Sequence, residues 1–144
     1  MAITTNAIAS SFKKELLEGK HDFTASTGSA FKLAMYNSNA VLGASTTSYT
    51  TGSEVTSPAG YTAGGKALVN TGTSVASSVA ITTFGNLSFT NVTLTARGAL
   101  IYNTSNSNTG VAVLDFGSDK TATAGTFTIQ FPAYTTSAAI LRIS

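Results

Sequence analysis

The sequence has no cysteine, no tryptophan, two prolines and one histidine, His21. Without cysteine the chain forms no disulfide and offers no thiolate as a nucleophile or metal ligand. A single histidine excludes metal sites that draw two or three histidines from one chain. Charge is scarce as well, since 10% of the residues are charged, well below the usual quarter, and the net charge is +2. No basic stripe is present, so we expect no nucleic-acid partner.

Long apolar runs are also missing. None approaches the roughly 20 residues that cross a bilayer as a helix, so we expect no membrane partner. The first residues, MAITTNAIASSF, lack a basic region followed by an apolar run. We therefore expect no signal peptide, and synthesis in a cytoplasm followed by release through another route or by none.

The chain is instead rich in serine, threonine and asparagine, beside 42% hydrophobic residues. Threonine favours strands, while serine and asparagine favour turns. A length of 144 residues suits one domain and is long enough to bury a core. Composition thus predicts a single mainly-β domain over residues 1–144.

One segment has a helical period. In TNAIASSFKKELLE, from Thr5 to Glu18, the residues Ile8, Phe12 and Leu16 recur every four positions. This spacing gives the predicted helix one apolar face. That face can pack on the chain's own sheet or dock on a neighbouring subunit, and we favour the first.

Capping residues set the predicted ends of this helix. Thr5 or Asn6 can cap its start, and Gly19 is a natural stop. Lys20 and His21 follow, close to the negative end of the helix dipole. We therefore expect His21 at the surface, where its charged form would compensate the dipole.

From residue 31 onward the apolar period changes to two, which indicates strands. In FKLAMYN, Phe31, Leu33 and Met35 fall on one face, and Lys32, Ala34 and Tyr36 fall on the other. The predicted strands are Phe31–Asn37, Lys66–Asn70, Val75–Phe84, Leu87–Ala96, Gly98–Asn103, Val111–Phe116, Phe127–Phe131 and Ala138–Ile143.

Local signals divide these strands. The alternation slips between Phe89 and Val92, which predicts a bulge or turn. The stretch NTSNSNTG, at 103–110, predicts a hairpin loop. Several short strands separated by turns favour an antiparallel β-sandwich or a jelly-roll-like barrel with one N-terminal helix.

The longest predicted loop runs from about Gly43 to Gly65 and is broken by Pro58. Loops of this length usually carry function or contacts. Tyr49 and Tyr61 are its candidates for interface anchors, or they fold back over the core.

Within this loop, GYTAGGKA, at Gly60–Ala67, is one residue short of the phosphate-binding pattern G-x-x-x-x-G-K-[ST]. Ala67 stands where that pattern needs a hydroxyl for Mg²⁺. A phosphate-binding loop also joins a buried strand to a helix, whereas the flanking segments here are polar or lack a helical period. We interpret the stretch as a glycine-rich turn that leads into a strand, with Lys66 in solvent, and we expect no nucleotide cofactor.

Other catalytic patterns are equally weak. Asp22 follows His21 directly, but adjacent side chains in an extended chain point apart, so they do not form part of a triad. Asp115 and Asp119 lie in LDFGSDK, where a capped turn explains them better than a Ca²⁺ site does. We expect no catalytic residue, no metal, no cofactor and no small-molecule substrate, and the chain is not predicted to be an enzyme.

Seven pieces of the chain, taken in order, resemble a family of small structural proteins of tailed-bacteriophage virions. They are FKKELLEGKHDFTASTG, FKLAMYNSNA, GYTAGGKALVN, TARGALIYN, VAVLDFGSDK, FTIQFP and AILRI. The resemblance covers nearly the whole chain. It implies a virion protein that is made in the cytoplasm of the bacterial host, and an architectural role for the glycines of GYTAGGKALVN.

Under this resemblance the expected function is capsid decoration. A cement protein on the outer surface of the phage head would bridge neighbouring capsid subunits, with the major capsid protein and copies of itself as partners. Threefold sites on shells favour a trimer. The expected contact residues are Phe12, Leu16, Tyr49 and Tyr61. The alternatives are a tail, fibre or adaptor component, or a carbohydrate-binding module for host recognition, which the lack of tryptophan disfavours.

Overall fold

The computed structural model describes residues 3–56 and 60–144. Within them the chain is mainly β, as predicted, with one short helix near the N-terminus. The helix is α1 (Ser10–Leu17), and the strands are β1 (Ala7–Ile8), β2 (Phe31–Tyr36), β3 (Lys66–Ala67), β4 (Asn70–Ala76), β5 (Val79–Phe84), β6 (Leu87–Asn103), β7 (Thr109–Ile129) and β8 (Leu141–Ile143).

The strands form two antiparallel sheets in a sandwich-like layout. The first has the order β1-β7-β6-β2-β3, and the second has the order β4-β5-β8. Only residues 68 and 69 separate β3, at one edge of the first sheet, from β4, at an edge of the second. The chain therefore connects the two sheets directly at that side of the sandwich, and β7 and β8 lie near its opposite side.

The β6–β7 hairpin is the longest element, and it merges strands that the sequence predicted separately. Its loop follows Asn103, as NTSNSNTG predicted, and Ser107 and Asn108 adopt positive φ there. The predicted bulge is confirmed, because the register shifts between Phe89 and Val92. Bulges of this kind let strands twist and bend without breaking, so turn residues inside β6 and β7 do not end them.

The predicted strand Val75–Phe84 was wrong in one respect, since it is divided into the end of β4 and the whole of β5. Ser77 and Ser78 adopt φ of 50° and 63°. They form the tight turn of an antiparallel hairpin in which Ala76 pairs with Val79. The two serines thus reverse the direction of the chain.

The helix begins later than predicted. Residues 7 and 8 pair with β7, so the helical period that extended back to Thr5 is interrupted by a strand. Ala9 occupies the cap position and makes no side-chain hydrogen bond, so neither Thr5 nor Asn6 caps the helix. The predicted end of the helix at Gly19 is confirmed, because Gly19 adopts a φ of +71°. No helix in the described parts of the chain is both long and apolar enough to cross a membrane.

The five-stranded sheet is buried on both faces around β2 and the adjoining second half of β6. Phe31, Leu33 and Met35 of β2 share one face, as predicted, and pack between the two sheets with Phe84 of β5. The opposite face, which carries Tyr36, is covered by a second apolar cluster. That cluster combines residues of β2, β6 and β7 with Ile3 and with the segment just after β2, and its members are Ile3, Ala34, Tyr36, Ala40, Leu42, Leu100, Tyr102 and Val113.

His21 is buried, so its predicted surface position was wrong. It is 6% exposed, and its ring lies 4.7 Å from that of Phe12. Its Nε2 and the Oε2 of Glu15 are 2.7 Å apart, and its Nδ1 lies 2.9 Å from the amide nitrogen of Asn103. Both ring nitrogens are therefore hydrogen-bonded inside the protein, where an unpaired one would be costly.

Candidate functional site

A buried carboxylate, Glu54, holds the long loop against the five-stranded sheet. It is 7% exposed. Its Oε1 accepts hydrogen bonds from the Tyr61 hydroxyl and the Gly64 N–H, both at 2.7 Å. Its Oε2 accepts one from the Tyr49 hydroxyl at 2.6 Å. A buried carboxylate needs such donors to offset its lost hydration, and the loop itself supplies all three.

Two further tyrosines complete this arrangement from the sheet side. The Tyr36 hydroxyl donates to the Thr50 carbonyl at 2.6 Å, and the Tyr102 hydroxyl donates to the Gly64 carbonyl at 2.5 Å. The tyrosine cluster is defined as Tyr36, Tyr49, Tyr61 and Tyr102 around Glu54.

The tyrosine cluster consists of phenols that resist ionisation. Burial raises the pKa of each of the four hydroxyls above its ordinary value, and interaction with Glu54 raises it further. Each phenol therefore remains a hydrogen-bond donor over the whole neutral range. The cluster fixes the loop, and nothing in it resembles a poised acid–base pair.

The glycine-rich stretch takes part in the same arrangement. Gly65 has a φ of +79°, and a Cβ there would overlap the backbone of Leu33. The adjacent Gly64 N–H is bound by Glu54. Lys66 begins β3, is exposed, and donates from Nζ to the Ser88 carbonyl at 2.7 Å. The stretch is a glycine-rich turn entering a strand, as the sequence predicted. Pro58, the other predicted breaker of this loop, lies outside the described residues.

The four predicted contact residues lie mostly inside this chain. Phe12 and Tyr61 are each 3% exposed, so neither is available to a neighbouring subunit. Leu16 is partly buried against the core between the sheets, which confirms that the helix packs on its own chain. Tyr49 is half-buried, with its ring stacked 4.8 Å from that of Tyr102.

Leu17 is 92% exposed, and it was not among the contact residues that the sequence predicted. The sequence signal was present, since Leu17 widens the apolar face beyond the four-residue stripe.

The described residues contain no group of three or more His, Asp or Glu side chains that could hold a metal ion. Asp115 pairs with Arg97 at 3.2 Å and accepts a hydrogen bond from the Gly117 N–H at 2.8 Å. It therefore forms a capped turn, as expected.

The side of the sandwich that includes β7 and β8 is open, and it is the strongest candidate for a functional surface. β1 pairs with β7 only at Val113 and Ala112. The Asn6 side chain accepts a hydrogen bond from the Asp115 N–H at 2.6 Å just beyond. From residue 116 to residue 129, no described strand pairs with the outer edge of β7. This edge is interrupted by bulges near Gly117 and Ala124, which adopt φ of +79° and +46°, and its pairing with β6 is regular at Lys120–Ala122 and Phe127–Ile129.

A cleft of about 970 Å³, lined by both apolar and polar side chains, runs beside this edge. It separates β7 from the segment that enters β8. Phe116 and Phe127 of β7 line it with ring centres 5.9 Å apart, and Ile140 lines it near β8. The cleft is thus a gap between the two layers of the sandwich.

A second groove, of about 750 Å³, continues from the cleft along α1. Ile8, Ile140 and Arg142 line both spaces. Its rim carries Leu17 and Ile143, which are 92% and 58% exposed. The cleft and this groove together form the open side, a mixed apolar and polar surface bordered by a free strand edge.

Comparison with protein-family models, with curated proteins and with solved structures gives no match to this chain.

Proposed function

We propose that this protein is a structural component of a bacteriophage virion, and that it decorates and stabilises the capsid by binding neighbouring shell subunits. The expected partners are the major capsid protein and other copies of the chain. Its place of action is the outer surface of the head.

The observation that carries this proposal is the open side of the sandwich. A free strand edge beside a partly apolar cleft suits a surface that is covered in an assembly, since an extended partner segment can pair with such an edge. No cluster of acid, base and nucleophile accompanies the cleft among the described residues. The geometry therefore favours a binding role over catalysis.

Two further features support an architectural role. The sequence resembles virion structural proteins along most of its length. The long loop is held by a buried carboxylate and four tyrosines, without cysteine or metal ligands, which suits a protein that must persist outside cells.

The aromatic side chains disfavour the carbohydrate-binding alternative. Sugar-binding surfaces usually present exposed aromatic rings. Four of the five tyrosines belong to the tyrosine cluster, and Tyr134 is the one large aromatic among the described residues with as much as 40% of its surface exposed. A single half-exposed ring gives a poor platform.

Quantitative mass spectrometry of purified particles of the encoding phage tests the proposal. We expect a copy number comparable with that of the major capsid protein. A few copies per particle would assign the chain to the tail, a fibre or an adaptor instead. Absence from the particles would refute a virion role.

A further inference from the structure

We propose that the outer edge of β7 receives an extended, acidic segment of a partner protein, which adds a strand to the five-stranded sheet. The inference rests on the proposed function, because the partner is then another virion protein. It specifies how the partner is held and what chemistry the partner segment must have.

The backbone of β7 provides the first part of the argument. In an edge strand, alternate residues direct their N–H and C=O groups away from the sheet, where they are free to bond another strand. Between residues 116 and 129, side chains bond the β7 backbone at the Gly117 N–H, through the Asp115 carboxylate, and at the Ala124 N–H, through the Thr93 hydroxyl of β6. Lys120–Ala122 and Phe127–Ile129 keep regular pairing with β6. Both stretches therefore hold an extended conformation that an added strand can follow.

The cleft provides the second part. An added strand would direct every second side chain towards the gap between the sheets and the others towards solvent. Phe116, Phe127 and Ile140 would contact the inward side chains. The partner segment must then alternate, with apolar residues at its inward positions.

Charge identifies the partner further. Asp115 and Lys120 lie on β7 beside the cleft, and Arg142 faces them from β8. Asp115 is neutralised by Arg97, whereas Lys120 and Arg142 form no salt bridge with any described residue. Arg142 donates only to a carbonyl, that of Ser137, at 2.8 Å. Two exposed positive charges without a salt-bridge partner among the described residues therefore border the cleft.

These charges favour an acidic partner over a second copy of this chain. A second copy bound at the same edge would bring its own Lys120 and Arg142 into the same region. Like charges brought together oppose association, while a carboxylate on the partner strand would be attracted to both cations. The occupant is thus an extended segment with carboxylates near Lys120 and Arg142.

The test compares amide hydrogen exchange in the free protein and in purified virions, read by mass spectrometry. Strand addition should slow exchange along residues 116–129 of β7 in the virion. The edge strand β4 is the internal control, because Asn70–Ala76 is also an edge but borders neither the cleft nor Lys120. Protection of β4 and not of β7 would overturn the inference.

A charge reversal provides the second readout. Lys120→Glu should lower the copy number per particle about tenfold or more, in competition with the wild-type chain, since about 1.4 kcal/mol of binding free energy is a factor of ten. Lys32→Glu is the matched control, because it makes the same charge change on β2, two strands away in the sheet. Thermal unfolding of both variants shows that they fold.

The outcomes separate this inference from the proposed function. Wild-type protein abundant in virions, with unchanged β7 exchange and normal incorporation of Lys120→Glu, would overturn strand addition and leave the decoration role intact. Wild-type protein absent from virions would overturn the proposed function, and with it the partner named here.

Discussion

The Tyr61 hydroxyl donates a hydrogen bond of 2.7 Å to the Glu54 carboxylate inside the protein. The same hydroxyl accepts a hydrogen bond from the Met35 N–H at 2.9 Å. Tyr61 thereby links the carboxylate at the centre of the long loop to the backbone of β2. The loop is fixed to the sheet by polar groups that are out of contact with water.

Replacing Glu54 should therefore be strongly destabilising. Glu54→Ala leaves two phenols and the Gly64 N–H without their acceptor, and each unsatisfied buried donor costs about 1–3 kcal/mol. We expect the free energy of unfolding to fall by about 3–5 kcal/mol, measured by urea denaturation. Glu18→Ala is the control, since Glu18 only pairs with Lys14 and Lys20 at the surface. Equal effects of the two substitutions would contradict the assignment.

Gly65 should tolerate no side chain. Gly65→Ala requires a left-handed backbone from alanine and also overlaps the Leu33 carbonyl. We expect a loss of about 3 kcal/mol or more in the free energy of unfolding. Gly43→Ala provides the matched control, because its added methyl group meets no atom within 4 Å. A Gly65→Ala protein with the wild-type unfolding midpoint would show that the turn is not held as described.

The buried His21 should contribute to stability through its partners on both sides. His21→Ala removes the ring that bonds Glu15 and Asn103, and Asn103 is fully buried. We expect a loss of about 2–4 kcal/mol in the free energy of unfolding. Lys20→Ala, at the neighbouring position, should change it by less than about 1 kcal/mol because the Lys20–Glu18 pair is exposed. A comparable effect at both positions would refute the buried role.

Local signals in the sequence predicted a large part of this fold. The alternation of Phe31, Leu33 and Met35 identified the inner face of β2, and its interruption near Asn91 located a bulge. These features depend on neighbours in the sequence, so a short window contains the information. The turn chemistry of NTSNSNTG is local in the same way.

Contacts between distant residues explain what the sequence could not predict. The helix starts late because Ala7 and Ile8 pair with β7, more than 100 residues away. His21 is buried because Asn103, at the end of β6, completes its hydrogen bonds. A short sequence window around the N-terminus contains neither β7 nor Asn103.

The tyrosines illustrate the same limit. Tyr49 and Tyr61 were recognised as anchors, but the sequence did not decide between an outer surface and the core. Glu54 decides it, because its buried carboxylate accepts hydrogen bonds from both phenols inside the protein. The sequence offered one signal for this inward position, which was Glu54, an acidic residue with no basic residue next to it in the sequence.

Stability should fall steeply in alkali. Folding raises the pKa of the four phenols in the tyrosine cluster above the ordinary value of 10.0 for tyrosine. Above about pH 10 the unfolded chain loses these protons while the folded chain keeps them, so the unfolded state binds fewer protons. The free energy of unfolding should then decrease by about 1.4 kcal/mol per pH unit for each such tyrosine. Urea denaturation from neutral pH upward measures the slope, and Tyr36→Phe should make the slope less steep because it removes one of the shifted phenols. A profile that stays flat above about pH 10 would contradict the buried cluster.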